Sequence, residues 1–216
     1  MKYFLIKKNF QRIILIIIFS VITLQTQETN AQQVDYSGTS SANFLKIGVG
    51  SRPMAMGDAA IASINSAEAL YWNVAALTRI DAEFSFAVST MDWLVDSRNS
   101  YVAASYKAND IGTFGVDLQY LDYGQIEETT VYDQDGTGRF LSASDMVIGL
   151  GFARQLTDRF SFGIKIKYIN ETIADATGNA FAIDLGTVFL TSFFDNKLRL
   201  AASLSNFGTK MKFIGD

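Results

Sequence analysis

From about residue 80 onward, apolar and polar side chains alternate with a period of two. The clearest stretch sets Phe162, Ile164 and Ile166 against Lys165 and Lys167. Such alternation predicts β-strands, because successive side chains of a strand point to opposite faces of its sheet. The pattern predicts seven strands, at residues 81–89, 99–107, 111–120, 145–153, 160–168, 181–186 and 198–205.

The same alternation fits two classes of all-β protein, and the connections favour one of them. A soluble sandwich or barrel buries the apolar set, whereas an outer-membrane barrel turns it to lipid. Short polar turns are predicted after strands two, four and six, at Asn109-Asp110, Thr157-Asp158 and Asp195-Asn196. Longer loops are predicted after strands one, three and five, at residues 92–98, 122–143 and 170–179. Short turns on one rim and long loops on the other are typical of antiparallel outer-membrane barrels.

In the barrel interpretation the polar face of each strand lines the lumen. Phe162, Ile164 and Ile166 are then expected to face lipid. Replacement of Ile164 by Arg is expected to cost about 2–4 kcal/mol, and replacement of Lys165 by Gln is expected to be mild by comparison. Opposite charges on the polar face can pair across strands, and their spacing gives no support for a catalytic pair. The predicted lumen-facing residues are Asp81, Glu83, Asp117, Gln119, Lys165, Lys167, Asp184 and Arg199.

The first 31 residues predict a cleaved secretory signal peptide. Four basic residues precede an apolar run at residues 13–24, and Thr29-Asn30-Ala31 provides small residues for cleavage after Ala31. An amino-terminal membrane anchor is the alternative, although a bilayer-spanning helix needs about 20 apolar residues. The chain is therefore expected to be exported.

Residues 32–78 have a different composition and predict a small hatch. They are rich in Ala, Ser, Gly and Met, contain the only proline, Pro53, and predict a helix at 66–77. Ser66 is expected to cap this helix, and Glu68 suits its first turn. We expect this segment to fold into the lumen as a plug, and a periplasmic tail is the alternative. Residues 79–216 then form barrel strands.

Four short pieces of the chain stand out, and they are FLKIGVGSR at 44–52, MGDA at 56–59, ALYWN at 69–73 and NFGTKMKF at 206–213. Together they resemble the PorV/PorQ family of outer-membrane proteins, relatives of the FadL fatty-acid transporters. The family usually continues Trp-Asn with Pro-Ala-Gly, whereas this chain has Val74-Ala75-Ala76, which predicts a continuing helix. The hatch motif comprises Gly48, Gly50, Arg52, Met56, Gly57, Asp58, Tyr71, Trp72 and Asn73.

The resemblance implies a fourteen-stranded transmembrane β-barrel with an amino-terminal hatch, in the outer membrane of a Gram-negative bacterium. Its best-known members serve the type IX secretion system without catalysing a reaction, escorting exported cargo to the surface. The expected partners are outer-membrane lipid and secretion-system proteins or secreted cargo. FadL relatives instead pass hydrophobic small molecules, and a purely structural envelope barrel is a third alternative. Seven strands are half of fourteen, so the chain is expected to be incomplete, covering the first half.

Composition removes many kinds of chemistry. The chain contains no Cys and no His, which excludes disulfides, thiol catalysis, Ser-His-Asp triads and nearly all transition-metal sites. A net charge of -4 argues against a nucleic-acid binder. Residues 48–53 lack the Lys-Ser/Thr ending of a phosphate loop. Asp133, Asp135 and Gly136 resemble the start of a calcium loop, but its closing Glu is absent near Ser144. No catalytic residue, cofactor or metal is predicted.

The loop predicted at residues 122–143 is the candidate partner-binding loop. Closing a hairpin needs only two to five residues, and long loops on rigid scaffolds concentrate binding residues. An acidic loop is expected to steer a basic partner. A merely solvating loop is the alternative. Its charged residues are Glu127, Glu128, Asp133 and Asp135 against Arg139.

Overall fold

The computed structural model describes residues 41–195 and 198–215. The predicted signal peptide, the first nine residues of the hatch at 32–40, and Asn196 of the third predicted turn lie outside the described residues. Within the described ranges, none of the helices has the length and apolar character needed to cross a membrane.

The strands form one antiparallel sheet in which each of the first seven pairs with its sequence neighbour. This confirms the all-β, antiparallel prediction. Within residues 41–195 and 198–215, β1 pairs only with β2, and the short β8 pairs with β6 beyond the end of β7. The strands are β1 Phe84–Asp92, β2 Arg98–Ala108, β3 Gly112–Glu127, β4 Phe140–Thr157, β5 Phe160–Ile173, β6 Ala176–Leu190, β7 Arg199–Gly208 and β8 Lys212–Ile214.

The predicted sorting of short turns and long loops is wrong at two connections. The predicted loop 170–179 is strand, because β5 and β6 stay paired from Asn170–Asn179 to Ile173–Ala176 and leave a two-residue turn. The opposite rim carries a longer connection, residues 191–198, between β6 and β7. Polar side chains support this pairing, since Asn170 Nδ2 donates to Asn179 Oδ1 at 2.8 Å.

The predicted loop 122–143 is also shorter than expected. Strands β3 and β4 continue past a bulge at residues 122–125 and pair as far as Glu127 and Phe140. The bulge includes Gly124, whose φ is +72°. Only residues 128–139 connect the strands, so the loop stands at the end of a long hairpin.

The two faces of the sheet differ sharply in burial. Residues 41–80 cover one face, which we call the inner face, and the other is the outer face. Lys165 and Lys167 on the inner face are 3% and 6% exposed, whereas Ile164 and Ile166 on the outer face are 40% and 57% exposed. The structure therefore buries the charged set and exposes the apolar set, the inverse of a soluble sandwich.

Residues 41–80 contain four short helices. The α-helices are α1 Ser51–Ala55 and α2 Ala69–Trp72, and the 3-10 helices are Asn43–Lys46 and Val74–Arg79. The predicted helix at 66–77 is thus wrong as a single element, because Asn73 adopts an extended conformation between its two parts. The predicted cap is wrong too, since the Ser66 hydroxyl donates to the Glu68 carboxylate at 2.9 Å. The second part is capped by Asn73 Oδ1, which accepts a hydrogen bond from the Ala75 amide at 3.1 Å.

Glycines on β3 to β6 let this hatch segment lie directly against the sheet. We call Gly115, Gly151, Gly163 and Gly186 the glycine track; Gly115 is opposite Gly151, and Gly163 is opposite Gly186. A Cβ at Gly163 would lie 2.5 Å from the Ala75 amide nitrogen, and one at Gly115 would lie 2.8 Å from Leu70 Cδ1. The core therefore lies between the hatch and the sheet.

Replacing Gly163 with Ala is expected to lower the free energy of unfolding by about 1–3 kcal/mol, because its methyl group meets hatch backbone that cannot rotate away. Gly178→Ala is the matched control: it also lies on the inner face, but its Cβ would face the flexible Met211 side chain at 3.0 Å. Denaturant unfolding in detergent measures both variants. Equal stabilities of the two variants would contradict the seating of the hatch on the glycine track.

Candidate functional site

The hatch motif forms a clamp of aromatic side chains around a glycine turn. Trp72 Nε1 donates to the Val49 carbonyl at 3.0 Å, and the Tyr71 hydroxyl donates to the Leu45 carbonyl at 3.0 Å. The two rings meet edge to face, with centroids 4.9 Å apart. Burial raises the pKa of Tyr71, and the nearby carboxylates of Asp58 and Asp184 raise it further. The phenol thus stays protonated as a hydrogen-bond donor.

The turn itself needs glycine at two positions. Gly50 has a φ of +82°, and a Cβ there would run into the Glu68 carboxylate. A Cβ at Gly48 would lie 2.9 Å from Asp58 Oδ1. Gly57 also has a positive φ, of +62°, whereas the side chains of Arg52 and Met56 are exposed. The glycines and the aromatic residues of the motif therefore serve mainly to fold the hatch.

Hydrogen bonds join the described part of the hatch to the sheet at several points. Gln119 Nε2 lies 3.4 Å from the Ile47 carbonyl and 3.1 Å from Asn99 Oδ1. The Glu171 carboxylate accepts from the Ala42 amide at 2.5 Å. These contacts fix the hatch by directed bonds as well as by packing.

Asn73 is the most heavily bonded residue of this contact. Its Nδ2 donates to the carbonyls of Ile61 and Thr187, each at 3.1 Å, while its Oδ1 caps the following helix. One buried side chain thus ties together two hatch segments and strand β6. Asn73 belongs to the sequence motif, but the motif alone did not predict these hydrogen bonds.

Two buried ion pairs lie beneath the hatch. Lys165 Nζ is 2.6 Å from Asp117 Oδ2 and 3.0 Å from the Leu70 carbonyl oxygen of the hatch. Lys167 Nζ is 2.8 Å from Asp184 Oδ1, and it also contacts Asn206 Oδ1. All four charged side chains are at most 7% exposed. Each cation is thus neutralised where water is largely excluded.

The Lys165–Asp117 pair spans three strands. Lys165 lies opposite Asp184 in the β5–β6 register, yet its ammonium group crosses β4 to reach Asp117 on β3. The crossing passes over Gly149, where a Cβ would overlap both Lys165 Cε and Asp117 Oδ1. A glycine at this one position of β4 therefore makes the pair possible.

The eight predicted lumen-facing residues separate into two groups. Asp117, Gln119, Lys165, Lys167 and Asp184 form the buried inner-face network. Arg199 is half-buried at the start of β7 and donates to the Ala62 carbonyl at 3.2 Å, whereas Asp81 and Glu83 precede β1 and are exposed.

Within the described residues, sequence reasoning missed three further buried titratable side chains of the sheet. Asp145 and Glu171 are 4% and 6% exposed, and Tyr101 is 1% exposed. The alternation in β4 already placed Asp145 on the opposite face of the sheet from Met146, so the inner-face position of Asp145 could have been predicted from the sequence. The inner-face position of Glu171 was not predicted, because residues 170–179 were expected to form a loop.

A small cavity lies between the hatch and these ion pairs. Its volume is about 210 Å³, and Tyr71, Trp72, Lys165, Lys167 and Asp184 are among its wall residues. The cavity is smaller than the pockets that hold small organic ligands, which are usually about 300–1,000 Å³. Within residues 41–195 and 198–215, no group of three or more acidic side chains is arranged to hold a metal ion.

The candidate partner loop is closed by its own hydrogen bonds. The Glu128 amide donates to the Arg139 carbonyl and the Thr137 amide donates to the Glu128 carbonyl, both at 2.8 Å. The Asp133 amide donates to Thr130 Oγ1 at 3.0 Å. These hydrogen bonds connect the two ends of the loop and form a turn at residues 130–133.

The loop exposes two apolar side chains among acidic ones. Val131 and Tyr132 are 85% and 95% exposed. The side chains of Asp133 and Asp135, which follow in the chain, are also exposed, as is that of Glu127 at the end of β3. Arg139 forms an exposed ion pair with Asp175 at 3.7 Å. The charged residues were predicted from sequence, but the two exposed apolar residues between them were overlooked.

Replacing Lys165 with Met is expected to destabilise the protein by about 3–5 kcal/mol, because it leaves the Asp117 carboxylate buried without a cation. The mild effect expected from sequence is therefore revised, and Lys165→Gln should also be severe. Adding Asp117→Leu to Lys165→Met should restore most of the stability. The free energies of unfolding of the single and double variants are measured, with Lys212→Met at an exposed lysine as the control. A Lys165→Met variant as stable as Lys212→Met would contradict the importance of the Lys165–Asp117 pair.

The profile of the family described as type IX secretion system protein PorV matches residues 28–215. No curated protein matches the chain significantly.

Proposed function

Because this chain belongs to the PorV family of type IX secretion system proteins, we propose that it is an adaptor that binds exported cargo or secretion partners through its loops. The family is an outer-membrane component of that system. No chemical step is part of the proposal. The observation that supports the adaptor role is that the hatch covers the inner face while the loop tip at Val131 and Tyr132 is exposed.

The proposed setting is a transmembrane barrel wall, with the outer face in lipid. Phe86, Val88 and Phe207 of that face are 73%, 76% and 72% exposed, which is unfavourable in water over so large an area. Lipid contact removes that penalty, and strands of about 9–11 residues suffice to cross a bilayer at a tilt. We further propose that additional strands close this sheet into a FadL-like barrel, because open strand edges in lipid leave unpaired backbone groups.

The sealed inner face supports an adaptor over a channel for hydrophobic solutes. A channel needs an apolar path past the hatch, but the hatch backbone rests on the glycine track and bonds to Lys165. The cavity beneath it is small and bounded by four charged side chains. Moving an apolar solute through this layer would require breaking two buried ion pairs, which is costly.

The loop tip supports a protein partner. Exposed aromatic residues at the centre of an interface supply much of the binding energy, and the surrounding charges set orientation and association rate. Tyr132 has this placement, with Asp133 and Asp135 close to it in the chain. A partner with an apolar pocket inside a basic rim is the complementary surface.

Replacing Val131 and Tyr132 with Ser together is expected to reduce surface display of cargo about tenfold or more, because the apolar anchor of the interface is lost. The control is Ile111→Ser, which removes a residue that is 60% exposed in the β2–β3 turn at the opposite rim. Both variants are assayed in cells for folded barrel, cargo display and uptake of hydrophobic solutes. Normal display by the loop variant would contradict the adaptor role of this loop, and loss of uptake alone would favour the channel.

A further inference from the structure

A second cavity lies at the rim opposite the partner loop and is rich in arginine. Its volume is about 350 Å³. It lies where the β4–β5 turn, the start of β7 and the hatch meet. Four of the eight arginines of the chain line it: Arg52, Arg79, Arg159 and Arg199. Such a concentration is unexpected in a chain whose net charge is -4.

The positive charge of this cavity is poorly compensated. Asp81 is the single carboxylate in the wall, and within residues 41–195 and 198–215 none of the four arginines forms an ion pair. Burial and the neighbouring Arg199 lower the pKa of Arg79, while Asp81 raises it. Burial and the repulsion by Arg199 therefore outweigh the stabilisation that Asp81 gives to the Arg79 cation.

The four arginines also have hydrogen-bond donors without partners among the described residues. Arg79 Nε is buried and has no hydrogen-bond partner, although buried donors are nearly always paired. Arg199 uses one nitrogen on the Ala62 carbonyl. The rest of the wall adds neutral hydroxyl and amide groups, including Ser63, Asn65 and Gln155. The cavity thus offers many donors and one acidic acceptor group.

We propose that this cavity binds a phosphate-type oxyanion. Guanidinium groups pair with phosphate through two parallel hydrogen bonds, and a phosphate has enough oxygens to accept from more than one arginine. The anion would neutralise the surplus charge and pair the donors that the protein leaves open. The volume of the cavity is within the usual range for small-ligand sites.

The same chemistry is available from a free phosphate ion or from the phosphate headgroup of a lipid. The cavity lies at strand ends, which in the proposed membrane orientation is the level of the headgroups. The site does not depend on the adaptor role, because none of its residues belongs to the partner loop.

The test is calorimetric titration of inorganic phosphate into the full chain, purified in a zwitterionic detergent at constant ionic strength. We expect saturable binding near one phosphate per chain, weakened at least tenfold in the double variant R52Q/R159Q. Both of these side chains are exposed and form no side-chain hydrogen bond within the described residues, so the fold should tolerate their replacement. D81N should strengthen binding by removing the repelling carboxylate.

The matched control is R98Q, since Arg98 is an exposed arginine at the opposite rim, where it pairs with Asp92 at 3.0 Å. Short-chain phosphatidylglycerol is titrated in parallel. Competition between this lipid and phosphate identifies a headgroup site, and binding of phosphate alone identifies a free-ion site. Absence of saturable binding of either, or equal weakening by R98Q and R52Q/R159Q, would overturn the proposal.

Discussion

The structure depends on the close approach of the hatch backbone to the inner face of the sheet. Gly163 and Gly186 of the glycine track bring β5 and β6 against residues 73–75. The Lys165 ammonium then bonds to the Leu70 carbonyl and to Asp117, which links hatch and sheet through one buried cation. Larger side chains in the track would lift the hatch, and water would enter the layer of ion pairs.

The contact between the hatch and the inner face determines which surfaces of the protein remain exposed for binding. With the inner face occupied, the remaining exposed features are the apolar outer face, the loop tip at Val131 and Tyr132, and the arginine cavity at the opposite rim. The apolar outer face suits lipid, and the adaptor role that we propose rests on the loop tip, whereas the oxyanion site that we propose at the opposite rim is independent of that role.

Period-two alternation was enough to predict the seven long strands, because side-chain direction is a local property, whereas the short β8 was not predicted. The same local reasoning failed at Asn170 and Thr172, where polar residues on both faces concealed a continuing strand. It failed at Asn73, whose extended backbone is set by hydrogen bonds to Ile61 and Thr187, distant in sequence. The crossing of Lys165 over Gly149 and the gathering of four arginines depend on the register of several strands, which no single segment encodes.

The central claim is that the hatch stays seated while the protein works, and the absence of cysteine allows a direct test. The hydroxyls of Thr78 and Ser161 are 2.9 Å apart across the hatch–sheet contact, so Thr78→Cys with Ser161→Cys should form a disulfide. Thr90→Cys with Ser100→Cys, whose hydroxyls are 3.3 Å apart on β1 and β2, is the control bridge. Surface display of cargo is measured before and after reduction. The account predicts equal display with the hatch locked or free, and a loss restored by reductant only in the hatch pair would contradict it.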